Sequence, residues 1–340
     1  MPCKPHKDFG VKCETCPYYD KTVGTILIIK LGAIGDVIRT STLLPKIKKE
    51  YPQHRIFWLT YSPDIIPSIV DKTFDYSVES LEILRAIEFD LVINLDKDMQ
   101  AVALTNSLTY KELKGFNLKN NMPFYANELA KHKYLTGLFD DLNKKNTKSY
   151  PEEIFEICGW KFEGEDYIID LDDSFEWNIP NDGKKIIGLN TGCGARWVSR
   201  LLPDNSWIEL IKKLQHNGYY PLLLGGKQED EKNKAFAEAT GALYLGYFPL
   251  QQFISEVNQC DVVVSAVTMG MHIAIGLKKN LILMNNIFNP LEFELYGRGE
   301  IVMPDKECKC FFKPSCTNKE YFCLDYLNAD KLYNSIIKWI

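Results

Sequence analysis

The chain has 340 residues, is 46% hydrophobic and 25% charged, and carries a net charge of −5. That length favours two domains over one, and the weakly negative balance argues against a general nucleic-acid binder. No apolar run approaches bilayer length, and the N-terminus MPCKPHKDFGVKCETC lacks the apolar segment of a secretory signal, so a cytoplasmic location is the expectation.

Residues 1–24 read as a polar, irregular arm. Cys3, His6, Cys13 and Cys16 form C-x2-H-x6-C-x2-C, and the Cys13–Cys16 pair has the knuckle spacing of a structural zinc or iron–sulfur site. In a reducing compartment disulfides are disfavoured, so the ten cysteines have to be metal ligands, buried fillers or free thiols.

The next stretch, TILIIKLGAIGDVIR from Thr25 to Arg39, organises the chain. Thr25–Lys30 is a β-branched apolar run, the mark of a strand buried on both faces. Gly32 and Gly35 open a turn, and Asp36 falls in the first turn of a helix expected to reach about Tyr51. A carboxylate at the C-terminal edge of a first strand sits where open α/β sheets bind ligands; the plain alternative is a helix cap.

A βα rhythm follows, with strands expected at Arg55–Thr60, Tyr76–Val78 and Asp90–Leu95. Helices are expected at Ile65–Val70, Glu79–Ile87, Lys97–Thr109, Asn127–Leu142 and Tyr150–Cys158, with a turn region over 110–125. This pattern implies a parallel sheet covered on both faces. Residues 159–183 are acidic and turn-rich, and read as a solvated interdomain connection.

The rhythm restarts with strands at Lys185–Asn190, Tyr220–Leu224, Leu243–Leu245, Asp261–Ser265 and Asn280–Asn285, the last clear one. Helices are expected at Asp204–Asn217, Gln228–Ala239, Leu250–Gln259 and Thr268–Leu277. The organisation is therefore a Cys/His arm (1–24), an α/β domain (25–178), a second α/β domain (179–325) and a terminal helix (326–340), with a cleft between the two sheets.

The second array carries phosphate-type features. Thr191, Gly192 and Gly194 follow a strand, with Arg196 and Arg200 close behind; small residues expose backbone N–H groups, and guanidinium groups grip diphosphates bidentately. Glu229, after Gly225-Gly226, suits ribose hydroxyls or simply a helix N-terminus. Thr268 and His272 open a later helix, as a cap and a structural histidine or as ligand contacts. No dinucleotide fingerprint, Walker loop, H-E-x-x-H or G-x-S-x-G is present. The tail holds Cys308, Cys310, Cys316 and Cys323 as C-x-C-x5-C-x6-C, a second candidate structural metal set that the arm cysteines could join if the chain ends meet. Cys158 and Cys260 read as core fillers.

Taken together, ILIIKLGAIGDVIRTSTLLPKIKKEYPQHRIFWLT, GLNTGCGARWVSRLLP, LLLGGKQEDE and CKCFFKPSCTNKEYFC resemble glycosyltransferase family 9, the ADP-heptose:lipopolysaccharide heptosyltransferases. The resemblance implies a GT-B fold, two Rossmann-like domains with the acceptor on the first and the nucleotide-sugar on the second. It implies inverting transfer with no cofactor required for catalysis, the cysteines holding at most a structural zinc or iron. It implies an ADP-heptose-type donor and a glycan or lipid-linked glycan acceptor, handled without nucleic acid and compatibly with peripheral association at the inner membrane face. Asp36 matches the family's proposed base, and Arg200 stands where the family has a lysine three residues before a proline. One departure bears on the sugar: where the family has Asp-Thr/Ser-Gly-x-x-His, this chain has Val267 in the aspartate's place. A different sugar donor, a protein acceptor, or a non-catalytic metal-stapled scaffold of the same fold therefore stay open as alternatives.

Overall fold

A β-branched run buried on both faces has to lie in the middle of a sheet, and Ile26–Ile29 are fully buried there. In this computed structural model, which describes residues 3–19, 21–194 and 196–340, the strand is β1 (Gly24–Ile29). It is followed by β2 (His54–Leu59), β3 (Lys72–Phe74), β4 (Glu88–Asn94), β5 (Thr109–Lys119) and β6 (Met122–Tyr125). They form one sheet in the order β3-β2-β1-β4-β5-β6, parallel except for the β5–β6 hairpin.

A second sheet holds β7 (Ile186–Asn190), β8 (Tyr220–Leu224), β9 (Leu243–Tyr244), β10 (Val262–Ala266), β11 (Asn280–Met284) and β12 (Gly299–Val302). Its order is β12-β11-β10-β7-β8-β9, all parallel. Helices cover both sheets, the α/β architecture expected of two Rossmann-like units. Each fully buried leucine or isoleucine in these strands contributes roughly 1.5–3 kcal/mol relative to exposure. The terminal helix Ala329–Ile336 buries Leu332 and Ile336 in the core that holds Leu210 and Leu214 of the Asp204–His216 helix.

Several local readings change. The helix expected from Asp36 to Tyr51 is two helices, Ile34–Thr40 and Leu43–Glu50. Pro45 has no N–H to continue the ladder, and the hydroxyls of Ser41 and Thr42 bond back to the carbonyls of Ile38 and Arg39. The turn region over 110–125 is the β5–β6 hairpin, with Asn120 and Asn121 at positive φ in its tip. Asn127–Leu142 is broken into Glu128–Ala130, Lys131–Thr136 and a further helix Asp140–Lys145. The Ile65–Val70 segment gives only a short turn, Pro63–Ile65, because prolines at 63 and 67 interrupt it. The strand expected at Tyr76–Val78 lies earlier, at Lys72–Phe74, and the expected last strand is followed by β12.

Residues 159–183 contain no helix or strand apart from local turns. Asp170 accepts the Ser68 N–H at 2.6 Å, while Asp166 binds Arg298 at 2.6 Å. The connection thus ties both halves together rather than swinging free.

Candidate active site

The helix Ile34–Thr40 starts at the C-terminal edge of β1 with Ala33 as its N-cap. Asp36 therefore does not cap this helix. Its carboxylate stands in a cleft of about 820 Å³ between the two sheets, bound to Arg39 at 2.8 Å and 3.9 Å from Lys30. Burial works to raise its pKa, but Arg39 and Lys30 outweigh that and hold it down at about 2. The side chain is one-third exposed, so solvent screens part of this effect. Lys30 is itself bonded to Asp96 at 2.5 Å, and Asp96 also accepts the Leu31 N–H. Arg39 and Lys30 thus keep Asp36 ionised and fixed against the effect of burial.

Arg39 is buried and forked. One Nη binds Asp36, and the other binds Glu292 of the second half, also at 2.8 Å. Its guanidinium lies 3.5 Å from the centre of the Tyr150 ring. Neither Arg39 nor Glu292 was marked out by the sequence pattern. The three-residue spacing from Asp36 could have found Arg39; nothing local signals Glu292, which follows a different strand 253 positions further on.

His272 faces this assembly from the helix Met269–Gly276. It is buried against Gly35, where a Cβ would meet its ring at 2.4 Å, so residue 35 has to be glycine for the halves to approach this closely. Burial first, then Arg39, lowers its pKa to about 3, so the ring is neutral, and its Nδ1 has no partner among the described residues. It is a packed cleft residue stacked 6.0 Å from Tyr167.

The loop after β7 brings Gly192, Cys193, Gly194, Trp197 and Arg200 to the cleft. Arg200 is 9% exposed, donates to the Cys193 carbonyl at 3.0 Å, and lies between the rings of Trp197 and Phe288. No carboxylate pairs with it among the described residues, and burial lowers its pKa to about 10, leaving it charged at neutral pH. A buried cation without an anion costs stability, and here it points at an open cavity. Gly192 is pressed against Glu229, whose carboxylate accepts the Gly226 N–H at 3.1 Å and lines the same cleft. The apolar side chains Phe248 and Leu250 stand beyond it.

Other expected site residues lie elsewhere. Thr191 is buried and bonded to Asn233 at 2.5 Å, so it joins loop to helix and does not line the cavity. Arg196 is exposed outside the cleft lining, 5.5 Å from the Trp197 ring, and its neighbour Ala195 is outside the described residues. Gly32 stands beside Tyr61 rather than in the cleft. Thr268 is the N-cap residue of its helix without a side-chain capping bond; its hydroxyl accepts from Asn190 at 2.9 Å, at the cleft wall.

The two cysteine groups do not share a site. Cys3, His6, Cys13 and Cys16 line their own cavity beside Thr22 and Arg55 of the first half. The cysteine-bearing tail lies against the second half and braces the loop after β7. Ser199 bonds to the carbonyls of Lys313 and Pro314, and Asn286 bonds both to Ser199 and to the Cys323 sulfur. Cys310 and Cys316 sulfurs are 3.6 Å apart; Cys310 accepts the Thr317 N–H, and Cys308 accepts the Cys310 N–H. Among the described residues no three His, Cys, Asp or Glu side chains stand as a finished metal cradle. Backbone N–H groups aimed at sulfur nevertheless suit thiolates. Cys158 and Cys260 are buried as fillers.

The sequence model of glycosyltransferase family 9 (heptosyltransferase) matches residues 80–322. The match begins after β1, so it does not include Asp36. No curated protein matches the chain. Among solved structures, a glycosyl transferase family 9 protein from Veillonella parvula superposes with a TM-score of 0.72 at 15% identity, covering 94% of this chain and 98% of that one. E. coli heptosyltransferase WaaC with ADP-2-deoxy-2-fluoro heptose gives 0.65 at 17%, covering 92% and 99%. The iron-containing dodecameric glycosyltransferase TibC of enterotoxigenic E. coli gives 0.59 at 10%, covering 94% and 76%. At these identities the structures establish a shared fold, that of GT-B heptosyltransferases.

Proposed function

The chain belongs to glycosyltransferase family 9, and from that premise we propose that it transfers a heptose from ADP-heptose, with inversion, to a glycan or lipopolysaccharide-type acceptor. The observation that carries this is Arg200, a buried guanidinium with no carboxylate partner among the described residues, facing the cleft opposite Asp36. A diphosphate between Gly192, Arg200 and the start of the Met269–Gly276 helix would neutralise it. The nucleoside would then extend towards Glu229 and Phe248, and the sugar towards Asp36. The ADP bound to a solved WaaC structure supports the same donor class.

In the reaction the acceptor oxygen attacks the anomeric carbon as the bond to the diphosphate oxygen breaks. Asp36 takes the hydroxyl proton, and Arg200 receives the charge that builds on ADP. Because Asp36 is a weak base, its contribution is orientation of the hydroxyl, with proton transfer late in the step. The acceptor would approach from the first half. Of the lysines in this half, Lys111 pairs with Asp90, Lys131 with Glu128 and Lys133 with Glu153, while Lys119 lies over the Phe124 ring. Among the described residues no helix is long and apolar enough to cross a membrane, and a peripheral position at the inner membrane face is part of this proposal.

Calorimetric titration with ADP, ADP-heptose, UDP-sugars and GDP-sugars tests the donor. Selective binding of ADP and ADP-heptose is expected. Val267 favours a second reading, another sugar on the same diphosphate, which selective binding of a different nucleotide-sugar would establish.

We also propose that the tail cysteines Cys308, Cys310, Cys316 and Cys323 hold one structural zinc or iron that stiffens the Arg200 loop; Cys3, Cys13 and Cys16 with His6 are the alternative set. Elemental analysis of anaerobically purified protein is expected to find about one metal per chain, lost on replacing Cys310 and Cys316 by serine. Metal-free protein would overturn this.

A further inference from the structure

The family's aspartate at position 267 is missing, yet a carboxylate reaches the same part of the cleft from the neighbouring strand. β10 and β11 are adjacent in the second sheet, so the loops leaving their C-terminal edges run side by side. The first carries Val267; the second carries Glu292, in the turn Pro290–Glu292. Both line the cleft. The turn is held firmly: Asn289 accepts the Leu291 N–H at 3.1 Å and donates to the carbonyls of Asn143 and Asn146, each at 2.7 Å.

The sheet order fixes where along a donor this carboxylate would fall. The loops after β8, β7, β10 and β11 succeed one another across the sheet. A nucleoside at the β8 loop and a diphosphate at the β7 loop leave the β10 and β11 loops for the sugar, opposite Asp36. Around Val267 the wall is apolar, with Ile34 and Met269 beside it. Glu292 is the carboxylate of the β11 loop that lines the cleft there, and its Oε1 is taken by Arg39 at 2.8 Å. Among the described residues nothing bonds its Oε2.

We infer that Glu292 is the residue that binds hydroxyls of the transferred sugar, replacing from β11 the carboxylate that Val267 removes from β10. Arg39 is its positioning partner. The fork that orients Asp36 also orients Glu292, so one guanidinium sets the geometry of base and sugar together. A carboxylate so fixed accepts hydrogen bonds from sugar hydroxyls without reorganising. Glu292 therefore also discriminates against sugars lacking those hydroxyls, because an oxygen that the bound sugar covers would be left unpaired.

This inference rests on the donor reading above, and its test separates the two. The full-length protein and its Glu292→Gln variant are compared for ADP binding and for transfer from ADP-heptose and from ADP-heptoses lacking single hydroxyls. Glutamine keeps the shape and an acceptor for Arg39, and unchanged ADP affinity reports that the fold is intact. In E292Q, kcat/KM for ADP-heptose is expected to fall by ~30-fold. The donor lacking the contacted hydroxyl should be used equally by both proteins. Adding Val267→Asp to E292Q should restore part of the loss. Equal losses for every donor would mean that Glu292 only holds the halves together, and an E292Q variant with wild-type kcat/KM would overturn the inference outright. A wild-type protein that ignores ADP-heptose but uses another nucleotide-sugar overturns the donor reading instead, and the same comparison is then made with that donor.

Discussion

Replacing Asp36 by asparagine is expected to lower kcat for transfer by ~10²–10⁴-fold, the range that a positioned general base supplies, while ADP binding stays close to wild type. The substitution removes a charge without stranding its neighbours, because Lys30 keeps Asp96 and Arg39 keeps Glu292. Single-turnover transfer measured beside calorimetric ADP binding checks both halves of this expectation, and full turnover in D36N would remove Asp36 from the chemistry. A pH dependence follows as well. Asp36 is held at about 2 in the folded chain, below the roughly 3.9 of an unfolded aspartate. Its ion pairs therefore stabilise the fold above about pH 4, and that stabilisation is lost as the pH falls towards 2. Over neutral pH Asp36 is already ionised, so kcat/KM should show no acid limb from this group. A limb near pH 6 that disappears in D36N would contradict the environment described here.

Arg200→Met is expected to cost ~10²–10³-fold in kcat/KM, as removal of a group stabilising transition-state charge does. It should also abolish the thermal stabilisation by ADP. The free protein should behave in the opposite direction. Arg200 is a buried charge with no carboxylate partner among the described residues, lying between Trp197 and Phe288, and a methionine there removes the desolvation cost. The variant without nucleotide should therefore melt at the wild-type temperature or above it. Differential scanning calorimetry with and without ADP reads both effects. Retained ADP stabilisation in R200M would mean that the diphosphate lies elsewhere in the cleft.

The central strands were legible because they are short and buried on both faces, whereas β3, β5, β6 and β12, only partly buried, were misplaced or missed. KIIGLN, YPLLL and DVVVSA leave little choice of structure. The amphipathic helices between them were equally legible, Asp204–His216 above all. Where hydroxyls, prolines or asparagines compete for the backbone, as at Ser41-Thr42 or Asn120-Asn121, the local pattern misled. Those breaks depend on bonds that a periodicity does not encode.

Asp36, Arg200, Glu229 and the cleft itself were readable because a strand followed by glycine and a charged residue marks a ligand-facing edge of a parallel sheet. Thr191 and Arg196 shared that signal, but the structure gives one to Asn233 and the other to the loop's outer surface. Chain order alone thus determined two α/β sheets, their facing edges and the residue types available at them. Only the tertiary structure decided which of those residues meet. Arg39, bound to Asp36, reaches Glu292 253 positions away, His272 seats against Gly35, and Cys323 braces the Arg200 loop through Asn286. Burial and hydrogen bonding within one element follow from neighbours in sequence, whereas an ion pair between the halves exists only once both sheets have folded and docked.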